Sequence, residues 1–413
     1  MTNSELLSPG ENIRPQLTLD QAKQLVTKYY GFECESIVEL DGYDDKNFKV
    51  TVRGNHEQDK NEHYVLKILN SLDSRTVDFI EAQNVLLLYL FNKNIPCSVP
   101  QPTITKSLQY VSILVNKNIP CSVPQPTITK SYYAVVQLES GKHIVRLMNF
   151  FTGVTLLRAP NPPDNIFCEI GTFAANLDNI MKKFYHPVYD SHKTLWMLNC
   201  VPELKKFLFA IEDHPVYDSH KTLWMLNCVP ELKKFLFAIE DREKRSFLED
   251  IIDEFGNKVL TNVDKLEKGM IHGDINEQNI IVERNGEEWH FKSILDFGDS
   301  QYSCYLFELA ITMAYAIILK QNMDIGGYVI RGYEKVRKIP EEEFNLLKIC
   351  IEARICQSLT MGAYTNTLDP NNAYILTAYI LTTAKPGWKI LRELRSVTNE
   401  ELLEKWRQLP LEE

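Results

Sequence analysis

Two short motifs, and the hairpin predicted between them, constrain this chain more than any other part of its sequence. The motifs are Ile271–Asn279, which reads IHGDINEQN, and Leu295–Asp299, which reads LDFGD. The residues between them, 280–294, form two β-prone runs separated by Asn285 and Gly286, which both tolerate the positive φ of a tight turn. A hairpin brings its two ends together, so the two motifs are predicted to lie side by side.

Three oxygen-bearing side chains would then meet at the ends of this hairpin: Asp274, Asn279 and Asp296. Asn279 and Asp296 suit Mg²⁺, a hard cation that prefers oxygen ligands. Asp274 remains available to accept a proton. A metal site beside a carboxylate base is what phosphoryl transfer needs, so the motifs predict that reaction, with Asp274 as the catalytic base.

A candidate cation for the nucleotide phosphates lies earlier in the chain. Lys67 stands among apolar residues in the predicted strand Tyr64–Ile68, where a lysine needs a partner. Glu81 lies on the next predicted helix, Ser74–Phe91, and is the expected partner. Lys67 and Glu81 are therefore predicted to belong to the nucleotide-binding site.

Composition excludes several classes of protein. The 413 residues are 44% hydrophobic and 24% charged, which is typical of a globular chain large enough for two lobes. The net charge of −10, without a basic run, argues against a nucleic-acid partner. The nine cysteines lack metal-type spacing and are interpreted as buried thiols of a reducing compartment. The longest apolar run, Leu306–Leu319, contains Glu308 and is too short to span a bilayer, and residues 1–16 do not form a secretory signal. These features predict a cytoplasmic protein with no membrane partner.

The pattern of apolar residues predicts an N-terminal tail at 1–17, an α+β lobe at 18–153 and a mostly helical lobe at 154–413. Thr18 and Gln21 form a predicted capping box for the first helix. The predicted strands of the first lobe are 35–40, 48–52, 64–68, 134–138 and 144–151. The predicted helices of the second lobe are 162–184, 203–211, 242–267, 306–319, 340–364 and 373–391.

Three blocks of sequence occur twice without a single change. The pairs are Asn92–Ser107 with Asn116–Ser131, His186–Asp213 with His214–Asp241, and Ala373–Thr377 with Ala378–Thr382. None continues to a third copy, so the chain is not a solenoid. Identity to the letter indicates a recent local duplication or an error in the assembly or translation of the gene. We hypothesise that one copy of each block lies in the core and the other outside it.

Taken together, the motifs resemble the aminoglycoside phosphotransferase/choline kinase branch of the protein-kinase-like fold. The residues that carry this resemblance are Lys67, Glu81, His272-Gly273-Asp274, Asn279 and Asp296-Phe297-Gly298, with supporting matches at 43–48, 294–299, 307–308 and 356–359. The resemblance covers roughly 18–391, apart from one copy of each repeat. It implies an α+β, two-lobed fold with a five-stranded antiparallel sheet in the small lobe. It also implies Mg²⁺ as cofactor, GTP or ATP as donor, and the hydroxyl of 5-hydroxy-L-lysine as acceptor.

The same resemblance implies roles for further residues. Val145–Phe151 would be the hinge strand whose backbone contacts the nucleotide base, with Met148 and Phe150 as candidate contacts. His272 would hold the catalytic loop by hydrogen bonds, although a catalytic role is the alternative. Asp299 would be a second metal ligand, a contact for a substrate ammonium group, or a turn cap.

Glu308 would accept backbone N–H groups of the catalytic loop, which would offset the cost of burying its charge. Two departures from protein kinases are informative. The predicted phosphate loop carries one glycine, Gly42, and Gly273 replaces the arginine that reads an activation-loop phosphate. The run after Asp296 also leaves no room for such a loop, which argues against a protein kinase.

Two alternatives stay open at this point. One keeps the reaction and changes the acceptor to choline, homoserine, a methylthio-sugar or an aminoglycoside. The other is a non-catalytic, pseudokinase-type binding protein. The presence of Asp274, Asn279, Asp296 and Lys67 together argues against the second alternative.

Overall fold

A computed structural model describes most of the chain as two compact units. The described residues are 14–40, 42, 45–53, 62–71, 73–103, 131–191, 226–368 and 382–409. The first unit contains the described residues of Gly10–Thr152 and Phe184–His192, and the second those of Gly153–Lys183 and Lys193–Glu413. Among these residues, none of the helices has both the length and the apolar character that crossing a membrane would require.

The first unit is built on a five-stranded antiparallel sheet in the order β1-β2-β3-β5-β4. Its elements are α1 (Leu19–Tyr30), β1 (Cys34–Leu40), β2 (Lys46–Val52), β3 (Glu62–Ile68), α2 (Val77–Asn92), β4 (Ala134–Leu138) and β5 (Gly141–Asn149). A short helical segment, Pro187–Ser191, also belongs to this unit. The predicted fold class is confirmed.

Local sequence explains how the first helix begins and ends. The Thr18 N–H donates to Gln21 Oε1 at 2.7 Å, and the Gln21 N–H donates to Thr18 Oγ1 at 3.2 Å. These reciprocal bonds form the predicted capping box. Gly31 ends the helix with a φ of 74°, a left-handed conformation that glycine adopts readily.

The two faces of the sheet carry different kinds of side chains. Phe48, Leu66 and Leu147 point to the core that α1 covers. Successive residues of a strand alternate between faces, so Lys67 lies on the opposite face. The register pairs Lys67 with Arg146 of β5, which places both side chains on that second face.

The second unit is mainly helical. Its helices are α3 (Ile166–Met181), α4 (Arg242–Lys258), α5 (Tyr305–Lys320), α6 (Ile325–Glu334), α7 (Glu341–Phe344), α8 (Leu347–Leu368), α9 (Lys385–Ser396) and α10 (Asn399–Gln408). Its strands are β6 (Val154–Thr155), β7 (Lys268–Ile271), β8 (Ile280–Asn285), β9 (Glu288–Ile294) and β10 (Gln301–Cys304). Strands β8 and β9 form the predicted hairpin, and β10 pairs with β7.

The hairpin turn lies one residue later than predicted. Asn285 pairs with Glu288, so the central residues are Gly286 and Glu287 rather than Asn285 and Gly286. Gly286 supplies the positive φ, 66°, that a two-residue turn needs.

Several predicted helices are shorter than expected, among them 162–184, which is Ile166–Met181 in the structure. The predicted helix 242–267 ends at Lys258, because Thr261 and Asn262 side chains donate back to carbonyls of residues 257 and 258 at 2.6 and 3.2 Å. The predicted helix 340–364 is divided into α7 and α8, and Glu343 of α7 accepts the backbone N–H of Glu267 at 2.8 Å. The predicted helix 203–211 and residues 373–381 of the last predicted helix lie outside the described residues.

The described residues include parts of the first two duplicated blocks. In the first pair, residues 92–103 of the first copy are described, together with Ser131 of the second. In the second pair, the described residues are 186–191 of the first copy and 226–241 of the second. The hypothesis that one copy of each block lies in the core stays a prediction.

Hydrogen bonds join Thr103 of the first copy to Ser131, the last residue of the second copy. Thr103 donates to the Ser131 carbonyl from its N–H at 2.7 Å and from its Oγ1 at 3.2 Å. Thr103 and Ser131 are therefore adjacent in space although 28 positions separate them.

Deleting residues 104–127, which joins Thr103 to Ile128 and restores one copy, should leave the fold intact. A shorter connection loses less entropy on closure, so the free energy of unfolding should rise by about 1–2 kcal/mol. Urea unfolding of the deletion variant and the parent chain measures the difference. A variant that is less stable than the parent would show that the second copy contributes to the core.

Candidate functional site

The hairpin places the two motifs as predicted. Ile280 pairs with Ile294, and the Leu295 N–H donates to the Asn279 carbonyl at 2.8 Å. Asn279 and Asp296 therefore lie at the same end of the hairpin.

The Asp274 carboxylate is held from both sides. Its Oδ2 accepts from Asn276 Nδ2 at 2.8 Å and from Asn279 Nδ2 at 3.0 Å. Its Oδ1 accepts from Arg354 Nη2 at 2.8 Å. The Asp274 side chain keeps 20% of its surface exposed. It is therefore fixed in orientation and still open to an acceptor molecule.

Asn279 and Asp296 present a donor set that suits a hard cation. The Asn279 amide nitrogen is used on Asp274, which leaves its Oδ1 for a metal ion. Asp296 is exposed, has a φ of 53°, and accepts the Gly298 N–H on Oδ1 at 3.1 Å. The described residues contain no cluster of three or more His, Cys, Asp or Glu side chains suited to a metal. This set fits Mg²⁺, which is typically held by one or two protein oxygens together with phosphate oxygens.

His272 and Gly273 fix the backbone conformation of the loop that carries Asp274. The Asp274 N–H donates to His272 Nδ1 at 3.2 Å, and His272 Nε2 donates to the Leu295 carbonyl at 2.9 Å. Both ring nitrogens are therefore used within the loop, and burial lowers the pKa of His272. Gly273 has a φ of 85°, and a Cβ there would lie 2.5 Å from the Asp299 carbonyl oxygen. Only glycine fits this position without displacing the backbone.

Glu308 of α5 supports the same loop. It is fully buried and accepts the His272 N–H, as well as the Gly273 N–H at 3.0 Å. Burial raises the pKa of Glu308 to about 7, although these backbone bonds oppose the rise.

This raised pKa gives a pH dependence of stability. Since the Glu308 pKa is about 7 in the folded chain and 4.5 unfolded, the folded state binds more protons between these values. The stabilisation is complete below about pH 4.5 and is lost as the pH rises to about 7. The free energy of unfolding should fall by up to about 3 kcal/mol over that range, relative to Glu308→Gln. Urea unfolding of both proteins at several pH values measures this, and parallel pH profiles would contradict it.

Arg354 is a site residue that the sequence motifs did not reveal. It lies on α8 and is 1% exposed, and its Nη1 donates to Gln357 Oε1 at 2.9 Å while its Nη2 holds Asp274. Its guanidinium lies 5.3 Å from the centre of the Tyr315 ring. Burial lowers the pKa of Arg354, but Tyr315 and the negative charges of Asp274 and Asp299 outweigh it and raise this pKa. An arginine within the apolar run 349–356 was the available signal.

Asp299 belongs to the 3₁₀ turn Phe297–Asp299 that follows Asp296. Its carbonyl oxygen lies against Gly273, the residue before Asp274. The Asp299 carbonyl accepts from Gln301 Nε2 at 3.4 Å, which fixes the turn.

The predicted pairing of Lys67 with Glu81 is replaced in the structure. Lys67 Nζ lies 3.2 Å from Asp45 Oδ2. Glu81 Oε1 instead accepts the Tyr133 hydroxyl at 2.9 Å. The carboxylate beside the lysine thus comes from the start of β2 and not from α2.

The backbone of Val145–Phe151 was predicted to contact a nucleotide base, and part of it is engaged within the chain. The Leu147 carbonyl accepts the Gln101 N–H at 2.6 Å, and the Asn149 N–H donates to the Val99 carbonyl at 3.0 Å. Residues 98–101, which belong to the first repeat copy, therefore occupy this edge of β5.

The two candidate base contacts differ in exposure. Met148 is buried and pairs in register with Val65, on the face that carries Lys67. Phe150 is half-buried, with Lys49 Nζ 4.5 Å from its ring centre. A contact between a nucleotide base and the backbone that follows β5 stays a prediction.

A family comparison now decides the class of protein. The model of the phosphotransferase enzyme family, APH, matches residues 40–342. The chain belongs to this family. The predicted enzyme class, a phosphotransferase with an alcohol group as acceptor, is confirmed.

Curated relatives of this phosphotransferase match it from end to end. Hydroxylysine kinase of Xenopus laevis is 30% identical over 419 residues, covering 98% of this chain and 97% of the relative. Hydroxylysine kinase of Mus musculus is 31% identical over 408 residues, covering 95% and 93%. The phosphotransferase is accordingly a small-molecule kinase.

Solved structures share its fold. A microcompartment-associated aminopropanol kinase aligns with a TM-score of 0.59 at 14% identity, covering 92% of this chain and 98% of the other. Amicoumacin kinase in complex with AMP-PNP, Ca²⁺ and its ligand aligns with a TM-score of 0.57 at 12% identity, covering 94% and 97%. At these identities the likeness concerns the fold alone.

Proposed function

We propose that this phosphotransferase transfers the γ-phosphate of GTP or ATP to the hydroxyl of 5-hydroxy-L-lysine. The observation that carries the chemistry is the Asp274 carboxylate, which is held by Arg354, Asn276 and Asn279 and remains partly exposed. The end-to-end match to hydroxylysine kinases supports the choice of acceptor.

In this proposal Asp274 orients the acceptor hydroxyl and takes its proton. The acceptor oxygen forms a bond to the γ-phosphorus while the bond from that phosphorus to the β–γ bridging oxygen breaks. The nucleoside diphosphate leaves with that oxygen, and the acceptor proton passes to the Asp274 carboxylate late in the reaction. Positioning supplies most of the rate, because a fixed carboxylate holds the hydroxyl in line for attack.

The remaining charges of the reaction have candidate partners. Asn279 and Asp296 would hold Mg²⁺, which neutralises negative charge on the phosphates when bound. Lys67 would bind the same phosphates as a point charge. In 5-hydroxy-L-lysine an ammonium group lies on the carbon next to the reacting hydroxyl, so its partner must be close to Asp274. Asp299, whose backbone lies against Gly273 next to Asp274, is our candidate for that partner.

Steady-state kinetics with a panel of acceptors tests this function. With Mg²⁺ and either GTP or ATP, kcat/KM for 5-hydroxy-L-lysine should exceed that for choline, homoserine, 1-amino-2-propanol and an aminoglycoside. Lysine, which lacks the hydroxyl, serves as the matched control and should support no turnover. Faster turnover of another amino alcohol would change the acceptor, and nucleotide binding without any turnover would indicate a non-catalytic protein.

A further inference from the structure

Lys67 pairs with Asp45, and not with Glu81 as the sequence predicted. Lys67 lies next to the last residue of β3, and its Nζ is 3.2 Å from Asp45 Oδ2. The Lys67 and Asp45 side chains keep only 15% and 12% of their surfaces exposed. A shielded ion pair of this kind is weakened less by solvent and salt than a surface pair.

Asp45 is itself fixed by the segment that follows β3. Its Oδ1 accepts the Asn70 N–H at 2.8 Å and Asn70 Nδ2 at 3.2 Å. Asn70 is 3% exposed and exchanges two further bonds with Asp73, at 2.7 and 2.9 Å. One carboxylate oxygen is thus anchored to the buried Asn70 and the other is directed to Lys67.

Glu81, the alternative carboxylate, is engaged elsewhere. It accepts the Tyr133 hydroxyl at 2.9 Å, and burial raises its pKa. A carboxyl group that is harder to ionise is a weaker partner for an ammonium group.

We propose that Asp45 is the residue that positions Lys67 for the phosphates of the nucleotide. This inference rests on the proposed function, since it needs a nucleotide donor. A lysine ammonium has three N–H donors, so its contact with Asp45 is compatible with a contact to a phosphate oxygen. Asp45 precedes β2 and Asn70 follows β3, so in this proposal the ends of these two strands set the position of the lysine.

Nucleotide affinity in the absence of an acceptor tests this proposal. Calorimetric titration of the full chain with a non-hydrolysable GTP or ATP analogue and Mg²⁺ gives Kd directly. Asp45→Asn, which keeps the shape and removes the charge, should raise Kd by about tenfold or more. Asp45→Glu should recover part of the loss, and Glu81→Gln should have a smaller effect than Asp45→Asn.

Two further variants separate positioning from general damage. In a Lys67→Met background, Asp45→Asn should change Kd by less than about twofold, because a residue that acts through Lys67 has nothing left to position. Glu39→Gln is the matched control, since it removes the carboxylate of another lysine pair, Lys46–Glu39 at 3.2 Å on the same sheet, and it should leave Kd at the parental value.

A larger effect of Glu81→Gln than of Asp45→Asn would overturn the inference and assign the role to α2. Equal losses from Asp45→Asn with and without Lys67 would also overturn it, because Asp45 would then act independently of the lysine. Absence of nucleotide binding by the parent chain would instead contradict the proposed function.

Discussion

Asp274→Asn should lower kcat by about 10³-fold while the Kd for nucleotide stays near its parental value. Asparagine keeps the size of the side chain and can still receive a bond from Asn276 or Asn279, but it cannot accept the acceptor proton. Its amide would also bring an N–H group toward Arg354, which now donates to Oδ1 at 2.8 Å. Steady-state kinetics with 5-hydroxy-L-lysine, combined with nucleotide titration, measures both quantities.

The matched control for this substitution is Asp264→Asn. Asp264 pairs with Lys268 at 2.9 Å in the same unit, but its side chain is 97% exposed. Its replacement should leave kcat unchanged. A kcat for Asp274→Asn within tenfold of the parent would mean that another group is the base.

Arg354→Met should lower kcat by about 10²-fold and leave the Kd for nucleotide nearly unchanged. Methionine fills much of the space of the buried side chain but removes the donors to Asp274 and Gln357. Asp274 would keep its bonds to Asn276 and Asn279 and lose the group that fixes its other oxygen. Arg354 is therefore a positioning residue, which acts on the reaction through Asp274.

Arg354→Lys and Arg395→Met complete this test. Lysine keeps the charge but cannot reach Asp274 and Gln357 with a planar fork, so kcat should recover only in part. Arg395 also pairs with a carboxylate, Glu254, within the helical unit, and its replacement should affect stability more than kcat.

The free energy of unfolding should fall by about 3 kcal/mol or less in Arg354→Met, because the remaining Asp274 carboxylate is partly hydrated. A full loss of stability without a change in the kcat of the folded fraction would contradict the positioning role.

Local spacing was enough to predict the hairpin, the meeting of Asn279 with Asp296 and the capping box at Thr18. Each depends on residues close in sequence, where turn geometry and strand pairing leave few alternatives. Arg354 could not be found in this way, because it reaches Asp274 from a helix 80 positions further along the chain. Long-range contacts of this kind depend on how helices pack, which spacing does not determine.

The choice between Asp45 and Glu81 shows the same limit at shorter range. Both carboxylates are near Lys67 in sequence, and the contacts made at the end of β3 determine which one pairs with it. Asn70 donates hydrogen bonds to Asp45 and holds it in place. Glu81 accepts a hydrogen bond from Tyr133, the residue before β4. The edge of β5 was likewise unpredictable, because residues 98–101 belong to a repeated block whose two copies are identical in sequence.

The most direct test of the central claim is the identity of the reaction product. The parent chain and Asp274→Asn are incubated with Mg²⁺, GTP or ATP, and 5-hydroxy-L-lysine, and the product is examined by ³¹P NMR and mass spectrometry. Our account predicts a phosphate monoester on the 5-hydroxyl oxygen, formed in equal amount to the nucleoside diphosphate, with about 10³-fold slower formation by the variant. Release of inorganic phosphate without a phosphorylated amino alcohol, or equal rates for the two proteins, would contradict it.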